Sequence, residues 1–157
     1  MQNQVKLDLL FKDIDHTIHI FEKRRERHKN KAIILKLSSI IGSALVTVLL
    51  GLNSIQNNII TDITILLSAL ITIFNGIEGF YNHRSLWVKD VKTLTSLREL
   101  KRDLEFYIAG ESEEQISVKA LTRYKERLQD ICYDDVKTWS KIKEEQNLTE
   151  QEERLYK

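Results

Sequence analysis

An uncharged apolar run at residues 37–55 constrains this chain more than any other feature. At about 1.5 Å of rise per residue, a helix over this run is roughly 28 Å long, close to the hydrocarbon thickness of a bilayer. A second apolar run covers residues 59–81. Only a short, polar and uncharged connector separates the two runs. The sequence therefore predicts an all-α protein built on a two-helix transmembrane hairpin.

The alternative is a soluble bundle in which both runs are buried helices. Helices of soluble bundles usually carry a polar stripe. Apart from Asn53, however, only small hydroxyl residues and glycines interrupt residues 37–55. Lys and Arg are dense before the first run and after the second, and are absent from the connector. The positive-inside rule then places both termini on the cytoplasmic side of a membrane.

Amphipathic segments flank the two apolar runs. Their apolar residues recur at spacings of three and four, which puts them on one face of a helix. The chain contains no proline, so long helices are favoured. The prediction is one domain over residues 1–157, with an N-terminal helix at 3–30, transmembrane helices at 31–55 and 59–81, a continuing cytoplasmic helix at 82–108 and a C-terminal helix at 115–145. The C-terminal helix has a near-heptad apolar face that ends at Trp139.

Several classes of function find no support in the sequence. A net charge of +1 makes no case for binding nucleic acid. The lone Cys132 cannot form an intrachain disulfide, and the charged first thirty residues lack the apolar core of a signal peptide. We find no phosphate loop, nucleophile elbow or zinc spacing, so we expect no enzyme activity, no cofactor and no catalytic residue. Asp13, Asp15, His16 and His19 could be considered as metal ligands, but the set lacks a further ligand nearby in sequence and fits a solvated face, so no metal site is predicted.

Small residues recur every fourth position in both apolar runs. Such spacing lets helix backbones approach closely in lipid. The two series can face each other inside the hairpin, or one can face neighbouring subunits or a water-filled lumen, and the pattern does not choose between these arrangements. The helix-packing candidates are Ser39, Ser43, Thr47, Gly51, Thr64 and Gly76, and Ser68 and Thr72 complete the second series.

Glu78 is the sharpest candidate for a functional side chain. A carboxylate within a membrane run is costly and usually faces a partner or water. With Asn75 one turn earlier, and with Thr72 and Ser68 below it, Glu78 would form an acidic constriction that favours cations in a ring of subunits. The alternative is that Glu78 already lies at the interface, hydrated or paired with Arg84 or His83.

A basic cluster precedes the first apolar run. It fits contact with anionic lipid and control of topology. It also fits the binding of an anionic signal such as a nucleotide, because guanidinium and ammonium groups bind phosphates. The candidate contacts are Arg24, Arg25, Arg27 and Lys29.

The whole arrangement resembles the SLATT family (SMODS and SLOG-associating 2TM effector domain). The resemblance runs from about residue 5 to 145. It consists of an amphipathic helix, a membrane hairpin, and a tryptophan with a basic helix directly after it, here WVKD at 87–90 through LREL at 97–100. A separate C-terminal helix follows.

The resemblance implies a pore-forming effector of a bacterial antiphage or conflict system that acts by abortive infection. Such a protein would lie in the inner membrane and assemble into homo-oligomers. It would permeabilise the membrane after an upstream signal, delivered as a nucleotide second messenger or through a separate sensor protein. The alternative function is a membrane-anchored helical scaffold that recruits a cytoplasmic protein partner.

Overall fold

The computed structural model describes residues 2–52, 58–111 and 116–155. All regular secondary structure in these ranges is helical, which confirms the all-α prediction. The elements are α1 (Gln2–Leu52), α2 (Asn58–Tyr81), α3 (His83–Ala109) and α4 (Val118–Leu155). The predicted connector lies outside the described residues except for Asn58, which begins α2.

Two helices are longer than the sequence predicts. Helix α1 is a single helix of 51 residues, whereas the sequence predicts separate elements at 3–30 and 31–55. No proline interrupts it, and its first glycine is Gly42. Helix α4 runs to Leu155, ten residues past the predicted end at 145. It passes through Asn147, whose helix propensity is only about 0.7 kcal/mol below that of alanine.

A break at Asn82 separates α2 from α3, where the sequence predicts a continuous helix. Asn82 has a φ of 46°, and its backbone N–H donates to the Glu78 carbonyl at 2.7 Å. Asparagine enters this left-handed region more readily than most residues because its short polar side chain bonds locally. Among the described residues that are not glycine, Asn82 alone has a positive φ. The helix is therefore interrupted here without a glycine or a proline.

By compactness the chain divides into two units. One unit, called the core unit below, comprises residues 1–26 and 85–157. The other, called the apolar unit, comprises residues 27–84.

The core unit is held together by the apolar faces of α1, α3 and α4. Each side chain buried in this way contributes about 1.5–3 kcal/mol relative to an exposed one. Trp139 lies outside this core, because 48 % of its surface is exposed. The buried members are Leu7, Leu10, Ile14, Phe21, Leu94, Leu97, Leu100, Leu104, Ile116, Leu121 and Leu128.

In the apolar unit, unlike the core unit, the large hydrophobic side chains are mostly exposed. Helices α1 and α2 are each long and apolar enough to cross a membrane. Only 6 % of the residues in the apolar stretch of α1 are buried, and 0 % of those in the apolar stretch of α2. Large side chains such as Ile34, Ile59 and Ile65 each expose more than 60 % of their surface. A core helix of a soluble bundle would be mostly buried, whereas these two stretches are not.

Candidate functional site

Helices α1 and α2 meet at a close contact in the middle of the apolar unit. The Ser39 hydroxyl donates to the Asn75 side-chain oxygen at 3.0 Å. One turn later Gly42 is buried, and a Cβ placed on it would lie 2.9 Å from Cγ1 of Ile71. Gly42 is not among the predicted packing residues, although its position three residues after Ser39 puts both on one helix face. The contact therefore depends on a glycine outside the fourth-position series.

The other hydroxyls of the two series bond within their own helices. Each donates to the backbone carbonyl four residues earlier, which satisfies its hydrogen bond without a partner helix. The donors are Ser43, Thr47, Thr64, Ser68 and Thr72, at 2.8–3.0 Å. All are exposed except Thr64, which is half-buried. Ser39 is thus the series member whose hydroxyl reaches the opposite helix among the described residues.

Gly51 and Gly76 lie open. A Cβ added at either would meet no atom within 4 Å in the part of the chain that the structure describes. Asn75 is also exposed, despite its bond to Ser39. The face of α2 that carries Ser68, Thr72 and Gly76 is therefore accessible to a neighbouring molecule.

Glu78 lies at the end of α2, and its carboxylate reaches across the break. Its Oε1 accepts a long hydrogen bond of 3.4 Å from the backbone N–H of Arg84, in the first turn of α3. First-turn N–H groups have no partner within their own helix, so this contact caps α3. Oε2 is buried and has no hydrogen-bond partner among the described residues. One oxygen of the Glu78 carboxylate therefore caps α3, and the other is buried without a hydrogen-bond partner among the described residues.

The core unit contains a buried charge cluster that no pattern in the sequence predicts. Arg24 on α1 bonds Asp90 on α3 at 3.0 Å and Asp135 on α4 at 2.7 Å. Lys89 pairs with Asp90 at 2.9 Å and also bonds Asp135. Thr93 donates to Asp135 at 2.8 Å. The cluster joins all three helices of the core unit through charge-assisted hydrogen bonds.

The contacts within the cluster favour the charged forms of Asp135 and Arg24. Burial alone would raise the pKa of Asp135, but hydrogen bonds from Lys89, Arg24 and Thr93 outweigh burial and lower it. Burial likewise opposes the charge of Arg24, yet the contacts with Asp135 and Asp90 raise its pKa above the ordinary value. The Arg24 guanidinium also lies 4.1 Å from the ring centroid of Phe21. Arg24 is therefore engaged inside the core unit.

The remaining basic candidates differ in exposure. Arg25 is half-buried, and its Nε has no hydrogen-bond partner among the described residues. Arg27 and Lys29 are exposed. Of the four residues predicted to contact lipid or an anionic signal, these two are the accessible ones.

A family model described as "Protein of unknown function (DUF4231)" matches residues 16–103. The match covers more than half of the 157 residues and includes all of α2. It also includes Arg24, Lys89 and Asp90 of the buried charge cluster, whereas Asp135 lies beyond it. Comparison with curated proteins and with solved structures gives no match.

Proposed function

The chain belongs to the DUF4231 family, and from its own residues we propose that it is a pore-forming membrane effector. Several copies of a two-helix hairpin, with both termini in the cytoplasm, assemble and permeabilise the bacterial inner membrane. The observation that carries this proposal is the uncovered apolar surface of α1 and α2. Water would penalise that surface by about 25 cal/mol per Å², whereas lipid would not.

The contacts inside the apolar unit support the hairpin. Residue 39 meets residue 75, and the later residue 42 meets the earlier residue 71, which is the order of two antiparallel helices. The basic residues on the outer flanks of both runs support a cytoplasmic location for the termini.

The polar face of α2 supports assembly around a lumen. Ser68, Thr72 and Asn75 are exposed on a helix whose other surface is apolar. An amide facing hydrocarbon is costly, so Asn75 favours a neighbouring subunit or water. The open Gly76 would let a second helix approach closely.

An upstream signal would act through the part of the chain on the cytoplasmic side. The resemblance to SLATT effectors supports a nucleotide-linked trigger, delivered either directly or by a separate sensor protein. Arg27 and Lys29 are the exposed cations suited to anionic lipid or to such a signal. The proposal assigns no catalytic residue and no cofactor.

The direct test of pore formation is the membrane potential of bacterial cells during induced expression, followed with a voltage-sensitive dye. High abundance drives assembly by mass action, so depolarisation is expected even without the native trigger. A steady potential at high membrane abundance would count against a pore and favour the scaffold.

Exposed apolar residues on α4 favour the scaffold as a second candidate. Tyr133, Val136 and Trp139 expose 70 %, 61 % and 48 % of their surfaces. They lie three residues apart on a helix face outside the core. If the protein is a scaffold, a Val136→Ser and Trp139→Ser double variant loses the partner that α4 recruits, while the membrane potential stays steady with either protein. Loss of depolarisation with no change in bound proteins would instead point to the pore.

Replacing Glu78 with glutamine should reduce the cation preference of the pore. The change removes the negative charge while keeping the shape of the side chain. The measurement is the reversal potential of purified protein in planar bilayers under a salt gradient. Asp62→Asn is the matched control, because Asp62 lies at the other end of α2 and is exposed. If Glu78→Gln leaves flux and selectivity unchanged, Glu78 does not line the lumen.

Replacing Gly42 with valine should destabilise the packing of α1 against α2 by about 1–3 kcal/mol, because the new Cβ overlaps Ile71. The measurement is unfolding of the purified protein in detergent. Gly51→Val is the control, since it brings the same change in helix propensity into open space. Equal stability of the two variants would contradict the close contact at Gly42.

A further inference from the structure

Two of the four histidines come together in the apolar unit. His28 on α1 and His83, the first residue of α3, lie with their Nδ1 atoms 3.4 Å apart. Their ring centroids are 5.6 Å apart, with an angle of 36° between the planes. His83 is 6 % exposed, and Tyr81 stacks on it with centroids 5.4 Å apart and planes 5° apart. The position of the His83 ring is therefore well defined by its neighbours.

The distance between the two nitrogens suits a tetrahedral metal ion. Zinc binds imidazole nitrogen at about 2.0–2.1 Å, and two such ligands at a tetrahedral angle are separated by roughly 3.3 Å. The observed separation of 3.4 Å matches this distance. We propose that His28 and His83 form a two-imidazole site for a divalent transition-metal ion of the zinc type.

Metal binding at this site would replace a hydrogen bond. In the neutral pair, one imidazole donates its Nδ1 proton to the Nδ1 lone pair of the other. When the metal binds, the donor ring carries its proton on Nε2, so that both Nδ1 lone pairs face the ion. Water would complete the coordination, because the described residues contain no group of three or more histidine, cysteine or carboxylate side chains placed to hold a metal. The bound ion would then join α1 to the start of α3, directly after the break at Asn82.

The test uses the full chain, without any polyhistidine tag, purified in detergent. Calorimetry with Zn²⁺ measures affinity and stoichiometry, and absorption of Co²⁺ reports nitrogen ligation and tetrahedral geometry. We expect one ion per chain. His28→Gln and His83→Asn should each weaken binding by at least about tenfold, since even indirect supports of a metal site are worth that much.

The chain supplies its own control in the exposed pair His16 and His19 on α1. Replacing both with glutamine should leave the affinity and the Co²⁺ spectrum unchanged. Absence of binding in the unaltered protein would overturn the proposal, and so would loss of binding in the His16 and His19 double variant. Because His83 is buried, circular dichroism must show that His83→Asn keeps its helices. If His83→Asn loses its helices, the test relies on His28→Gln instead, because His28 is only half-buried.

Discussion

Replacing Asp135 with alanine should lower the free energy of unfolding of the chain by about 3–5 kcal/mol, the usual effect of removing one partner from a buried ion pair. The side chain of Lys89 is 4 % exposed, and among the described residues it would keep only Asp90 as a carboxylate partner. Arg24 would lose its 2.7 Å contact, and the Thr93 hydroxyl would lose its acceptor on α4. The measurement is chemical denaturation in detergent, followed by circular dichroism.

Asp134→Ala is the matched control for this prediction. Asp134 is adjacent in sequence but exposed, so its loss should change stability by less than about 0.5 kcal/mol. Because the folded pKa of Asp135 is lowered, its contribution is complete above the unfolded value of about 3.9 and is lost as the pH falls through the folded pKa. The difference between the parent and Asp135→Ala should therefore be largest near neutral pH and shrink in acid. Similar losses for Asp134 and Asp135 would contradict a role for the cluster in stability.

Replacing Gly76 with leucine should abolish depolarisation at equal membrane abundance. Gly76 has open space around it in the single chain, so the larger side chain leaves the hairpin intact and obstructs only an approaching neighbour. The measurement combines the dye assay with crosslinking of the assembled protein. Gly76→Ala is the control at the same position, and it should retain most activity because alanine still permits close helix contact. Unchanged depolarisation and assembly in Gly76→Leu would show that this face takes no part in the pore.

Substitutions at Gly42 and Gly76 test folding and assembly separately. Gly42→Val acts inside one chain, where a Cβ meets Ile71. Gly76→Leu acts where the single chain offers no contact. Destabilisation in the first variant, together with normal stability and lost activity in the second, would therefore support the hairpin and the oligomer independently.

The features that could be predicted from the sequence are those that local patterns determine. Hydrophobicity alone marks the two apolar runs, and the spacing of three and four residues marks the core faces that bury Ile14 and Leu97. The break at Asn82 escapes such patterns, because asparagine adopts both helical and left-handed conformations at a small difference in energy. Local preference at Asn82 therefore does not decide between a continuous helix and a turn.

The candidate site was harder to predict because its partners are distant along the chain. Arg24 is 66 residues from Asp90 and 111 from Asp135. A periodic pattern within one helix contains no information about such pairs. One signal was present: Asp90 lies four residues from both Leu86 and Leu94, which puts a carboxylate on the apolar face of α3. Gly42 was missed for a related reason, since the rotation of α1 about its axis decides which small residue meets α2.

Several hydroxyl side chains of α1 and α2 form hydrogen bonds within their own helices, and these bonds affect the cost of inserting each helix into a membrane. Ser43, Thr47, Ser68 and Thr72 each bond a carbonyl of their own helix, so their polar hydrogens are satisfied before α1 and α2 meet. In the proposed hairpin, each helix can therefore leave the insertion machinery separately and enter lipid at little cost from these groups. Asn75 is different, because its side-chain oxygen bonds Ser39 on the other helix. If α1 enters the bilayer before α2, Ser39 is already in place to donate to the Asn75 side-chain oxygen as α2 follows.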